Sequence, residues 1–143
     1  MCGDYFNPKA KPPQPVVTGY DIHIYFEPRG EDEFVSQSEL TAMRLAQELK
    51  QLFPDAVKGV HRVGVVGPHA SQNYEVDLSP EGFGKVMGWL QLNNKDLSIL
   101  IHPHTGDEVK DHFEFAIWLG KKVPFNDAFF AKLKQGNKKD FQP

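Results

Sequence analysis

The chain has 143 residues, 40% of them hydrophobic and 12% aromatic, which suits one domain with one sizeable core. Its formal charge of -3 leaves no basic surplus to neutralise phosphates or to hold an anionic membrane surface, so neither nucleic acid nor a membrane is expected as a partner. With Cys2 as the single cysteine no intrachain disulfide can form, and no apolar run approaches the roughly 20 residues of a membrane helix, so a soluble, cytoplasmic protein is expected.

Residues 1–17 include Pro8, Pro12, Pro13 and Pro15, which remove backbone donors and favour extended chain, and they read as a proline-rich arm ahead of a single domain over 18–143. Residues 20–26, YDIHIYF, alternate Tyr20, Ile22, Ile24 and Phe26 with Asp21, His23 and Tyr25, which predicts a first strand. Ser36 and Glu39 are spaced as a capping box, and Leu45, Ala46, Leu49, Leu52 and Phe53 follow at helical spacing until Pro54 ends the run. Valine- and glycine-rich residues 57–66 predict a second strand before the turn at Gly67-Pro68, and Tyr74, Val76 and Leu78 alternate with Glu75 and Asp77 in a third. Ser79 and Pro80 suit the N-cap and first position of a second helix, whose stripe is Phe83, Val86, Met87 and Leu90. Residues 97–102, LSILIH, predict a fourth strand, and Phe113, Phe115, Ile117 and Leu119 alternate as a fifth.

The order β-α-β-β-α-β with a C-terminal extension is that of an α+β, ferredoxin-like fold, in which two helices cover one face of an antiparallel sheet. The other face must be solvated or buried. Tyr25, Trp118, Phe125, Phe129 and Phe130 could bury it against a second copy, giving a homodimer, or fold back within one chain.

The chain has six histidines: His23, His61, His69, His102, His104 and His112. The expected arrangement sets the first strand between the third and fourth, parallel to the third and antiparallel to the fourth. The start of the first strand then meets the start of the third and the end of the fourth. His23, Glu75 and His102 point to the open face, because their apolar neighbours claim the helix-covered one. His69 enters the third strand and His112 follows the loop leaving the fourth. Imidazoles with a carboxylate suit non-haem Fe(II), and Zn(II) accepts the same ligands. His23, His69 and His102 are therefore candidate metal ligands. Glu75 is a fourth, although it could instead pair with Arg62 across the hairpin. His61 and His104 lie off the centre and read as ordinary hydrogen-bonded or exposed side chains. Asp107, Glu108, Lys110 and Asp111 most simply form a solvated helical turn after Thr105-Gly106, and such a turn can also close over a pocket.

YDIHIYF at 20–26, GPH at 67–69, YEVDL at 74–78 and HPHTGDEVKDHFEFAIWLG at 102–120 together resemble the successive signatures of the DOPA 4,5-dioxygenase family. The resemblance spans residues 19–126 and is matched by His23, His69, Glu75, His102, Pro103, Thr105, Gly106, Asp111 and His112. It departs from the family pattern at 70–73 and at His104. The resemblance implies an Fe(II) enzyme for extradiol cleavage of DOPA or a related catechol by O₂, with His112 as the acid/base catalyst and His69 able to exchange roles with it. Two other readings stay open at this point: a non-catalytic dimeric binding module, and a zinc-dependent hydrolase.

Overall fold

The computed structural model describes residues 16–139; most of the proline-rich arm, with Cys2, lies outside the described residues. The strands are β1 (Tyr20–Tyr25), β2 (Val57–Val63), β3 (Asn73–Leu78), β4 (Ile99–Pro103) and β5 (Ile117–Leu119). The helices are α1 (Gln37–Leu52), α2 (Phe83–Asn93), α3 (Glu108–His112) and α4 (Asp127–Lys139). One antiparallel sheet orders the strands β2-β3-β1-β4-β5, so the ferredoxin-like core is present with β5 added at one edge.

The core lies between the sheet and helices α1 and α2. Ile22, Ile24, Val76, Ile99 and Ile101 from the strands meet Leu45, Leu49, Val86 and Leu90 from the helices, all almost or wholly buried. Burying a side chain of this size is worth about 1.5–3 kcal/mol, so the helix-covered face supplies the main driving force for folding. Ser36 caps α1 by accepting a bond from the Glu39 amide at 3.0 Å. Only half of the predicted capping box forms, because the Glu39 carboxylate turns away to accept from Arg62 Nε at 2.7 Å. That bond also removes Arg62 as a partner for Glu75. Ahead of α2 the chain makes a 3₁₀ turn over Pro80–Gly82, and the Ser79 side chain makes no capping bond.

Three sequence expectations need correction. First, β1 is antiparallel to β3 as well as to β4, so its start meets the end of β3, with Tyr20 opposite Leu78. The crossover through α1 sets β1 and β2 parallel, and the tight β2–β3 hairpin then reverses β3. His23 still faces Glu75 because both lie mid-strand. Second, β2 stops at Val63, before the turn in which the His69 amide bonds the Val66 carbonyl and Gly67 takes a left-handed φ of 59°. Third, Phe113 and Phe115 are not in the fifth strand. Their amides close the end of α3 on Val109 and Lys110, leaving only three residues to pair with β4.

Over β1 and β4 the face away from α1 and α2 carries aromatic side chains of this chain, while the side chains of His61 and Asp77 at its β2–β3 side stay exposed. The Trp118 ring stacks on Tyr25 with centroids 5.9 Å apart, and Phe125 and Phe130 lie 5.7 and 5.3 Å from the His112 ring. Among the described residues no helix is long and apolar enough to cross a membrane.

Candidate metal centre

Cross-strand register lays polar side chains on that second face in two adjacent rows. One row runs His61, Glu75, His23; the next runs Asp77, Asp21, His102. The rows follow from the period of two, which turns Asp21, His23 and Tyr25 away from the core claimed by Ile22 and Ile24.

His23 and His102 are almost fully buried, and their Nε2 atoms lie 3.1 Å apart. Each ring is held from behind. His23 Nδ1 donates to Asn73 Oδ1 at 2.9 Å, and the amide's orientation is supported by Nδ2 facing the Ser71 carbonyl. His102 Nδ1 donates to the Pro103 carbonyl at 3.1 Å. A carbonyl only accepts, so both protons sit on Nδ1 and both Nε2 lone pairs face inward. Burial, followed by the charges of neighbouring histidines, holds His23 well below the usual imidazole range. Burial, and then His112, pushes His102 down to about 3. Neither ring therefore gains a second proton at neutral pH. Two buried lone pairs aimed at one point are left without a donor, at about 1–3 kcal/mol each. A cation bound by both removes that cost, so the residues present fit a metal.

Two carboxylates approach the same point. Asp21 Oδ2 is 3.6 Å from His102 Nε2, and Glu75 Oε1 is 3.9 Å from His23 Nε2. Asp21, His23 and His102 place one donor atom each within 4.8 Å of one another. Burial, with the nearby charges of Asp21 and Asp77, raises Glu75 to about 7. Asp21 is itself raised by burial, against the lowering effect of His104.

His69 reaches this group from the turn before β3, with its ring centroid 4.3 Å from that of His23. An isolated bridge to Phe125 anchors it, and Tyr25 Oη lies 2.9 Å from its Nδ1. Burial, and then His112, pushes His69 down to about 4. His112 is buried beside His102 at 4.1 Å between centroids, and its Nδ1 donates to the Glu108 carbonyl at 2.7 Å. Asp111, also buried, accepts from both the amide and the hydroxyl of Thr105 and so ties α3 to the end of β4. The helical turn is thus solvated on one side only.

His23, His69, His102, Glu75 and His112 share one site. Asp21, Asn73 and His104 were not picked out by sequence reasoning as part of it. Their signals were local: Asp21 lies two residues before His23, and His104 two after His102, on the same face of each chain segment. His61 bonds Asp77 at 3.2 Å at the exposed β2–β3 end of the same face, where His61, Glu75 and Asp77 also bring one donor atom each within 4.8 Å of one another. A separate cleft of about 380 Å³ has Tyr25 among its lining residues and none of the histidines.

The family model for Dopa 4,5-dioxygenases matches residues 20–129. A DOPA 4,5-dioxygenase from Amanita muscaria is 33% identical over 109 residues, covering 75% of this chain and 47% of that protein. An uncharacterised 21.2 kDa protein from Botryotinia fuckeliana is 32% identical over 124 residues, covering 81% of this chain and 65% of its own. This chain therefore spans about half to two thirds of the length of these relatives. The crystal structure of a candidate dioxygenase from Nostoc punctiforme superposes with a TM-score of 0.67 at 32% identity, covering 82% of this chain and 94% of that one. The architecture is that of a small α+β protein built on a five-stranded antiparallel sheet. The chain belongs to the DOPA 4,5-dioxygenase family.

Proposed function

We propose that the protein is a metal-dependent extradiol dioxygenase that opens the aromatic ring of DOPA or a related catechol with O₂. The observation that carries the metal requirement is the pair of inward lone pairs of His23 and His102, 3.1 Å apart and fixed by Asn73 and Pro103. His23, His102 and a carboxylate from Asp21 or Glu75 would hold Fe(II), and Zn(II) suits the same donors. Bound there, the ion supplies a Lewis acid that acidifies a chelating catechol and open positions for O₂.

The remaining chemistry belongs to the protein. A catechol must lose a phenolic proton, and His112 Nε2, a lone pair with its ring fixed from behind, is the base proposed to take it. His69 has two states. When its Nδ1–H donates to Tyr25 it can serve as a third imidazole ligand, and when the Tyr25 hydroxyl donates instead, Nε2 carries a proton it can give. Trp118, Phe125 and Phe130 form an aromatic cover that limits water around the imidazoles. Both oxygen atoms enter the product, a ring-opened semialdehyde acid, and the catechol itself supplies the four electrons, so no external reductant is consumed.

Anaerobic loading with Fe(II), followed by oxygen-electrode measurements on L-DOPA and a panel of catechols, tests this reading. One O₂ consumed per ring-opened product is expected. Folded, iron-replete protein that consumes no O₂ on any catechol would sink the proposal.

A further inference from the structure

His104 stands at the margin of the histidine group, and its side chain is 42% exposed. Its backbone, however, is pinned. The His104 amide donates to the Gly19 carbonyl at 2.9 Å, and the Thr18 amide donates to the His104 carbonyl at 3.0 Å. This carries the β1–β4 ladder one step beyond the pair Tyr20–Pro103. Two residues after His102, the side chain emerges over the same face, its ring edge-on to that of His102 at 5.5 Å between centroids. There Nε2 lies 2.8 Å from Asp21 Oδ1. The other carboxylate oxygen, Oδ2, is the one directed at His102 Nε2, 3.6 Å away.

Asp21 needs this anchor for a geometric reason. A carboxylate on a strand rotates about two side-chain bonds, and its other oxygen must be held at one rotamer to stay directed at His102. One oxygen fixed by a charge-assisted bond selects the rotamer that directs the second oxygen inward. We infer that His104 is a positioning residue that, acting through Asp21, makes Asp21 the carboxylate ligand of the metal centre. This rests on the metal-centre reading above. It assigns a role to a residue that departs from the family pattern, and it ranks Asp21 ahead of Glu75 as the ligating carboxylate.

The test is titration of the metal-free protein with Co²⁺ by calorimetry and visible absorption, which requires no turnover. His104→Phe keeps the ring volume and lacks a donor; His104→Gln keeps an N–H. His104→Phe should weaken Co²⁺ binding by roughly 10- to 100-fold, as losses of outer-shell partners do. His104→Gln should recover most of it. In an Asp21→Ala background His104→Phe should have no further effect, because its action passes through that carboxylate. Thermal melts of each metal-free variant confirm that it is folded. Equal Co²⁺ affinity for native protein and His104→Phe would overturn the inference alone, as would a full loss persisting in the Asp21→Ala background. Native protein that binds no Co²⁺ would overturn the metal-centre reading, and this inference with it.

Discussion

At the scale of single residues, the state of each buried imidazole is decided by the group behind it. Asn73 is fully buried in β3 and contributes its amide oxygen to His23, which fixes the proton on Nδ1. Asn73→Leu keeps the approximate volume and removes the acceptor, so His23 is free to flip its proton inward. Metal affinity should then fall roughly 10- to 100-fold by Co²⁺ titration. His61→Ala, in contrast, should leave binding and turnover within about twofold of native, since it removes only an exposed contact with Asp77 worth at most about 1 kcal/mol. His112→Ala should bind metal nearly normally while losing most turnover, by roughly 10²- to 10⁴-fold if its proton transfer is general base catalysis. Retained activity in that variant would move the base assignment to His69.

At the scale of elements, α3 shows how a short helix can carry a functional side chain. Five residues are too few to be stable alone, so its position depends on its ends. Asp107 caps the Lys110 amide at 3.1 Å, and Asp111 accepts from Thr105 at the end of β4. Asp111→Ala strands two Thr105 donors and should cost about 1–3 kcal/mol in urea denaturation while lowering turnover, because His112 is the next residue along the same turn. Unchanged turnover would show that α3 is held by its aromatic contacts alone. The elements were largely legible in the sequence because alternation and helical stripes report burial, and burial is what folds this chain. The direction of β3 was misjudged because the alternation of a strand carries no polarity. Phe113 and Phe115 kept the rhythm of a strand while their amides were committed to closing α3, a competition invisible in a pattern of side chains. The convergence of His23, His102 and Glu75 was readable from facing alone. Asp21 and His104 share the faces of His23 and His102 two residues away, but their pairing with each other depends on register, which single-strand patterns leave free.

At the scale of the whole molecule, gathering imidazoles in a dry place couples metal-free stability to pH. His102 falls to about 3 and His69 to about 4 in the folded state, and His23 lies well below its ordinary value, mainly because burial disfavours their charged forms. In the unfolded chain each titrates near 6.5. Between these values the unfolded state holds more protons, so stability is fully present above about 6.5 and is lost as pH falls toward the folded values. Glu75 works in the opposite sense. Raised to about 7, it holds a proton in the folded state that the unfolded chain releases above its model value of 4.5, so its contribution declines as pH rises through that window. Asp21 and His104, also raised when folded, act in the same sense as Glu75, but the three buried histidines titrate in the window from pH 6.5 to pH 5 and prevail there. The urea midpoint of chelator-treated protein should therefore be highest near neutral pH and fall steadily from about pH 6.5 to pH 5. Adding Zn²⁺ at pH 7 should raise the midpoint by mass action, and the gain should shrink toward pH 5 as protons compete for the same nitrogens. A midpoint that is flat between pH 7 and pH 5 in the metal-free protein would mean that the imidazoles are solvated, and the argument for a dry, metal-ready site would fail at its first step.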